Sequence, residues 1–194
     1  MPAPETAYNS RHETRTMNPS DDWHFCPRCA GPLAPSILKE GEVSRPACPA
    51  CGFVLYLNPR VAACTITTID GGIVLARRGI HPEHGKWILP GGLVDRGETV
   101  AAAAVRETRE EIKVRVSLTG ILDVYSFPGQ ETVVAVYAAD VLSGQPEAGD
   151  ETLEVKVFAP EAIPWDELGF DTTRAALRDY VRRFFPRARV PRLT

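Results

Sequence analysis

The sequence has no apolar run near the ~18 residues that a membrane-spanning helix needs, so no span is expected. Its first stretch, Met1 to Ser20, lacks the apolar core of a secretory signal and is too acidic and polar for a transit peptide. A cytoplasmic location is the expectation. Nor is there a strong charge of either sign. The chain carries 22 Lys and Arg against 25 Asp and Glu, a formal net charge of -3. No global field therefore draws it to nucleic acid or to anionic lipid. There is no internal repeat and no helix-turn-helix segment.

Cysteine is scarce, with five in 194 residues, but four of them are ordered in pairs. Cys26-x2-Cys29 and Cys48-x2-Cys51 are separated by the 18 residues Ala30 through Ala47. That spacer falls within the ~15–20 residues of four-cysteine zinc sites, and a cytosolic setting argues against disulfides. Four thiolates leave a Zn2+ ion no open position, so the site is expected to be structural. It would supply folding energy that so short a segment cannot draw from a core. Cys64, in Ala62-Ala63-Cys64-Thr65-Ile66, reads as a small buried residue rather than a nucleophile.

At 44% hydrophobic and 24% charged residues, the chain suits one globular domain with a small appendage. Its pattern divides it into a disordered tail over 1–22, with Met17 as a second plausible start, a zinc ribbon over 23–53 and a main domain over 54–194. In that domain Val61–Ile69 and Ile73–Ala76 are β-branched runs around Asp70-Gly71-Gly72, which predicts a hairpin. Trp87–Leu89 reads as a short strand halted by Pro90-Gly91-Gly92. Lys113–Val116, Ile121–Tyr125, Thr132–Val141 and Glu154–Ala159 read as further strands. Thr99–Ile112 holds neither Gly nor Pro and predicts a helix. Thr172–Phe185 predicts another, with Leu177, Tyr180, Val181 and Phe184 on one face. Hairpins around one strong helix, without repeating βαβ units, indicate an α+β fold with a mixed sheet.

The first helix carries the chemistry. At ~100° per residue, Ala101, Ala104, Val105, Thr108 and Ile112 form its packing stripe, and Glu107, Glu110 and Glu111 gather opposite. Three carboxylates within five positions repel one another, by ~0.2–0.5 kcal/mol per like-charged neighbour even in solvent. A divalent cation reverses that sign, since Mg2+ takes hard carboxylate oxygens. Spacing alone leaves a solvated acidic face equally open. The loop ahead of the helix adds Gly91, Gly92 and Gly97, which let backbone come close to a metal or a phosphate. The helix start offers free amides to anionic oxygen.

Gly92 to Val114 reads GLVDRGETVAAAAVRETREEIKV. It resembles the signature of the Nudix hydrolases, G-x5-E-x7-R-E-U-x-E-E-x-G-U with U a bulky apolar residue. Gly92, Glu98, Arg106, Glu107, Glu110, Glu111 and Val114 match, while Thr108 takes an apolar position and Lys113 replaces the late glycine. The resemblance implies a mixed β-sheet between helices and Mg2+- or Mn2+-dependent cleavage of a phosphoanhydride. It implies that Glu107 and Glu111 are the principal metal ligands, helped by Glu110 and the Gly91 carbonyl. Glu98 and Arg106, with Gly92, would hold the loop and orient those ligands. A general base often lies outside the helix in this family, and Glu154 is the first candidate here, Glu151 the second.

A ribbon ahead of such a core is similar to NADH pyrophosphatases and to relatives acting on FAD or ADP-ribose. Only Ser126 and Phe127-Pro128 survive of the NADH-type SQPWPFP segment, so the expected substrates run ADP-ribose, FAD, NADH. The expected partner is a small nucleotide, with homodimers common among relatives. Removal of an NAD cap from RNA and a non-catalytic nucleotide sensor are the competing readings, and the intact acid set speaks against the sensor. Arg77, beside Arg78, is a candidate for phosphate, and Tyr125 and Phe127 for a stacked ring. Arg182, Arg183, Arg187, Arg189 and Arg192 read as a solvated helix end or an RNA contact.

Overall fold

The computed structural model describes residues 23–191, and the tail expected over 1–22, with Arg192, lies outside them. The chain divides into two compact units at Asn58/Pro59.

The first unit holds a two-stranded antiparallel sheet, β1 (Ala34–Ser36) against β2 (Arg45–Ala47). Its two CxxC turns share one hydrogen-bond pattern. Cys26 N–H donates to Gly31 O and Ala30 N–H to Cys26 O, each at 2.8 Å. Cys48 N–H likewise donates to Phe53 O at 2.8 Å, and Gly52 N–H to Cys48 O at 2.9 Å. Ala30 and Gly52, four residues after the first cysteine of each pair, both have positive φ, 58° and 71°. The turn demands that conformation, and Gly52 meets it without the Cβ penalty that Ala30 bears.

The second unit is a seven-stranded mixed sheet with two helices. The strands are β3 (Arg60–Ile69), β4 (Gly72–Arg78), β5 (Trp87–Ile88), β6 (Gly91–Leu93), β7 (Arg115–Tyr125), β8 (Thr132–Ser143) and β9 (Thr152–Phe158). They run β5-β4-β3-β8-β7, with β6 on β3 and β9 on β4. The β3–β8 pair is parallel and the others antiparallel. The β3–β4 hairpin turns on Asp70 and Gly71, both at positive φ, as tight hairpin loops require. Gly91–Leu93, read from sequence as a loop, pairs with Ala62–Cys64 as a strand. The two short strands expected on either side of Gly120 are one strand, β7, whose register slips three times along β8. Extra residues at bulges break the alternation on which the sequence reading relied.

Helices α1 (Val100–Ile112) and α2 (Asp171–Phe184) draw on opposite sets of β4 side chains. Ile73 and Leu75 join the cluster that takes in Ala176, Leu177, Tyr180 and Val181 of α2. Val74 and Ala76 join the cluster that takes in Ile112 of α1. This two-residue period is that of a strand buried on both faces. Two details depart from the sequence reading. Ala103, not Ala101, is fully buried on α1, and Phe184 is largely exposed while Thr173 and Ala176 take its place in the α2 stripe. Lys113, at the late-glycine position of the motif, caps α1 in the left-handed region at φ 59°, donating its N–H to Arg109 O.

Thr108 explains its place in an apolar stripe. Its hydroxyl donates to Ala104 O at 2.7 Å, which uses its one proton. It therefore accepts from Thr65 Oγ1 at 2.7 Å, and Thr65 in turn accepts from Thr67 at 3.0 Å. All three threonines are buried, so the chain of hydroxyls pins α1 to β3. Thr65→Val leaves the Thr108 oxygen without that donor and Thr67 without its acceptor. It is expected to cost ~1–3 kcal/mol. The Thr65→Val/Thr108→Val pair should cost less than the sum of the single changes. Urea denaturation of the four proteins checks this, and strict additivity would refute it.

Candidate active site

Helix α1 begins at Thr99, whose side chain accepts from Ala102 N–H, and presents its acids in a graded way. Glu110 is exposed, Glu107 half-buried and Glu111 buried, with 7% of its surface exposed. The sequence reading set all three opposite the packing stripe. Glu111 instead lies on the buried side, because β6 covers it: Gly91 N–H donates to Glu111 Oε2 at 2.8 Å. At Gly91, with φ 155°, a Cβ would strike the backbone of Ala63 and Cys64, so only glycine lets that strand pass, and a Cβ at Gly92 would press on the Glu107 carboxylate.

Arg106 binds this cluster together. Its Nη2 and Nε donate to the two oxygens of Glu98 at 2.6 and 3.2 Å, a two-pronged pair. Nη1 donates to Glu107 Oε1 at 2.7 Å and Glu110 Oε2 at 3.1 Å, and Nη2 also reaches Leu93 O at 3.2 Å. Glu98 further accepts from Asp95 N–H, so helix and loop are tied at one arginine. The Arg106 guanidinium, with that amide, holds the Glu98 carboxyl below the usual carboxylate range.

The acids deeper in behave oppositely. Burial pushes the Glu111 carboxyl up to about 7, against the Gly91 N–H that lowers it, and the charges of Glu107 and Glu151 add to the rise. Burial likewise raises Glu107, although Arg106 opposes it. The thiol of Cys64 is pushed up to about 12 by burial and by Glu111 and Glu107, which keeps it protonated and unreactive.

Among the described residues, Glu107 Oε2 and Glu111 Oε1 take no protein hydrogen bond. Two adjacent acids, both disfavoured as anions and each with a spare hard oxygen, fit a divalent cation. A raised native pKa has a defined consequence for stability. At Glu111 the metal-free native state holds more proton than the unfolded chain from about pH 4.5 to 7, so this group's contribution to stability falls across that window. The Glu111 contribution is fully present below the unfolded value and lost as pH passes about 7, a fall of order 3 kcal/mol. Mg2+ should offset it, raising Tm more at pH 8 than at pH 5.5. Equal shifts at both pH values would contradict this fit.

Strand β6 also forms one wall of a cleft of about 640 Å3 that takes in Cys64, Arg78, Leu89 and Phe170. That volume is in the range of small-ligand sites. The structure sorts the weaker candidates. Arg78 lines the cleft, whereas Arg77 is spent on Gly85 O, on Glu154 at 3.5 Å and on the Trp87 ring. Tyr125 is buried in the core and donates its hydroxyl to Asp179 of α2, which removes it from the ring-stacking role expected of it. Phe127 is half-buried and does not line the cleft. Glu154 is tied to Arg77, while Glu151 is the carboxylate whose charge reaches both Glu107 and Glu111. Glu151 follows a turn held to the end of α1 by Gly149 N–H donating to Glu111 O at 2.8 Å. Sequence reasoning missed Phe170, which no motif marks.

The second candidate centre is the cysteine cluster. The thiol sulfurs of Cys26, Cys29, Cys48 and Cys51 lie within 4.8 Å of one another. Cys26 and Cys51 are 3.7 Å apart and Cys29 and Cys48 3.5 Å. Zn–S bonds of about 2.3 Å in a tetrahedron separate the sulfurs by about 3.8 Å, so the donor set fits Zn2+.

A mixed sheet with two helices, one of them presenting graded acids beside a cleft, joined to a four-cysteine unit, defines a class of two-unit enzymes. The NUDIX domain family matches residues 57–184, and the Nudix N-terminal zinc-ribbon family matches residues 24–57. The chain belongs to the Nudix family and is a Nudix hydrolase. It is 37% identical over 132 residues to the ADP-ribose pyrophosphatase of Methanocaldococcus jannaschii, covering 66% of this chain and 76% of that one. It is 31% identical over 143 residues to the NAD-capped RNA hydrolase NudC of Chromobacterium violaceum, 72% of this chain but about half (51%) of that protein. Among solved structures, a NUDIX hydrolase from Nitrosomonas europaea aligns with a TM-score of 0.79 at 32% identity, over 87% of this chain and 96% of that one.

Proposed function

We propose that the protein is a Mg2+-dependent pyrophosphatase that cleaves a nucleoside diphosphate linked to another group and releases a nucleoside monophosphate. ADP-ribose is the first substrate, ahead of FAD and NADH. The observation that carries this reading is the pairing of Glu107 and Glu111 against Gly91 and Gly92 of β6, each acid with a spare oxygen, the same strand walling a cleft of about 640 Å3. The ADP-ribose pyrophosphatase among its relatives supports placing ADP-ribose first.

In this reading Glu107, Glu111 and Glu110 hold the divalent ion, with Gly91 backbone beside them. Bound Mg2+ supplies charge neutralisation at the diphosphate and acidifies water. Arg106 keeps Glu107 and Glu110 aimed while its other edge grips Glu98, so loop and ligands cannot drift apart. Glu151 accepts the proton of the attacking water. Its charge is felt at both inner acids, and Gly79 N–H fixes its carbonyl at 2.8 Å. Glu151→Gln is expected to lower kcat roughly 10²- to 10⁴-fold. Glu154→Gln, which breaks only an exposed pair with Arg77, should lower it less than about tenfold. Steady-state rates on ADP-ribose decide the matter, and the reverse order would return the role to Glu154. Zn2+ on the four cysteines has a structural role only.

The NAD-capped RNA hydrolases among the relatives favour a second reading, removal of an NAD cap from RNA. Incubation with Mg2+ and a panel of ADP-ribose, FAD, NADH and NAD-capped RNA, followed by chromatography, separates the two. Release of AMP from ADP-ribose supports the first reading. Turnover of capped RNA alone establishes the second, and no turnover across the panel leaves a nucleotide sensor.

A further inference from the structure

Phe170 is placed against several local preferences at once. It is a bulky residue at φ 52° and ψ 134°, a backbone region that side chains with a Cβ rarely adopt. It is also the N-cap of α2, where its ring satisfies no helix amide, although Ser, Thr, Asp and Asn serve there. Such a conformation persists only where the surroundings dictate it, and here they do. Gly169 N–H donates to Trp87 O at 2.8 Å just before it. Arg174 reaches back from α2 to the carbonyls of Trp165 and Leu168, and its own amide donates to Phe170 O. The segment is clamped from both sides, and the clamp sets an aromatic ring on the cleft wall.

The ring is not alone there. The Arg78 guanidinium lies over the ring, 5.4 Å from its centroid, the ring itself packs on the core cluster of Val74, Ala76 and Ile88, and Arg78 lines the same cleft. Arg78 Nε donates to Pro82 O at 2.6 Å and Nη2 to His81 O at 3.5 Å, which orients the plane of the guanidinium. Among the described residues, Nη1 has no hydrogen-bond partner. Gly91, whose N–H meets Glu111, lines the same cleft, so the pair shares it with the strand that covers the acid cluster. A fixed aromatic ring and a fixed guanidinium plane are the two surfaces on which heteroaromatic rings stack.

We propose that Phe170, clamped beside Arg78, is the stacking platform for the nucleobase of the substrate and so selects ligands that carry a flat ring. This rests on the nucleotide-hydrolase reading above. The pair takes the place that the sequence reading gave to Tyr125 and Phe127.

The test compares two ligands, AMP, which has a base, and ribose 5-phosphate, which lacks one, by calorimetric titration of the full chain. Phe170→Leu keeps an apolar side chain but no ring, and is expected to weaken AMP about tenfold or more. Ribose 5-phosphate should bind the variant as it binds the wild type, and Phe170→Tyr should restore AMP affinity. A structural role alone would weaken both ligands together. Equal weakening, unchanged AMP affinity in Phe170→Leu, or a wild-type protein that holds AMP no better than ribose 5-phosphate would each overturn the platform. Base-selective AMP binding without hydrolysis of any nucleotide supports the platform while sinking the pyrophosphatase assignment, so the two ideas fail separately.

Discussion

Glu111→Gln is expected to abolish turnover, with kcat down roughly 10³-fold or more, while the metal-free protein keeps or gains stability. The two halves of this outcome have one cause. Glu111 is buried and its carboxyl is pushed up to about 7, so at pH 8 the folded chain bears the strain of an ionised group without a cation. Glutamine keeps an oxygen to accept the Gly91 N–H but cannot ionise. It therefore relieves the strain and removes the metal ligand together. Thermal unfolding in chelator at pH 8 should show the variant at or above the wild type, the difference shrinking at pH 5. Mg2+ should raise the wild-type Tm and leave the variant nearly unmoved. Activity near the wild-type level in Glu111→Gln would remove Glu111 from the metal site.

Cys48→Ser is expected to empty the other centre. Structural zinc on four thiolates contributes apparent binding free energies of about 10–16 kcal/mol, and the strands among the described residues of the first unit are a pair of three residues each. Serine offers no thiolate, so bound zinc should drop to below about a tenth of one ion per chain and the first unit should lose its fold. The second unit owns its core of Ile66, Leu75, Val136, Leu177 and others, and should still unfold cooperatively on its own. Zinc content by atomic absorption, with protease mapping of the cleaved region, reads the result. Full zinc occupancy in Cys48→Ser would mean that the four-cysteine reading is wrong.

Several parts of this molecule are legible in the sequence alone. The cysteine pairs, the Gly92–Val114 motif and the uninterrupted helix from Thr99 each rest on short-range spacing, and local geometry carries them directly into structure. Strand β7 was harder, because its bulges let apolar residues change faces without changing the composition of the run. Thr108 looked like a tolerated departure from an apolar position. Its partner, Thr65, is 43 residues away, and only the packing of α1 on β3 supplies the second hydroxyl.

The sequence by itself determined the family, the acid-bearing helix and the four-thiolate set, because each is carried by residue types at fixed spacings along one contiguous stretch of chain. Tertiary structure decided the rest. It buried Glu111 under Gly91 while leaving Glu110 in solvent, and it tied Glu154 to Arg77 while leaving the charge of Glu151 to act on the acids. It took Tyr125 into the core and brought Phe170 to the cleft beside Arg78. Desolvation, charge proximity and ring placement are properties of neighbours in space, and those neighbours come from strands and loops far apart in the chain.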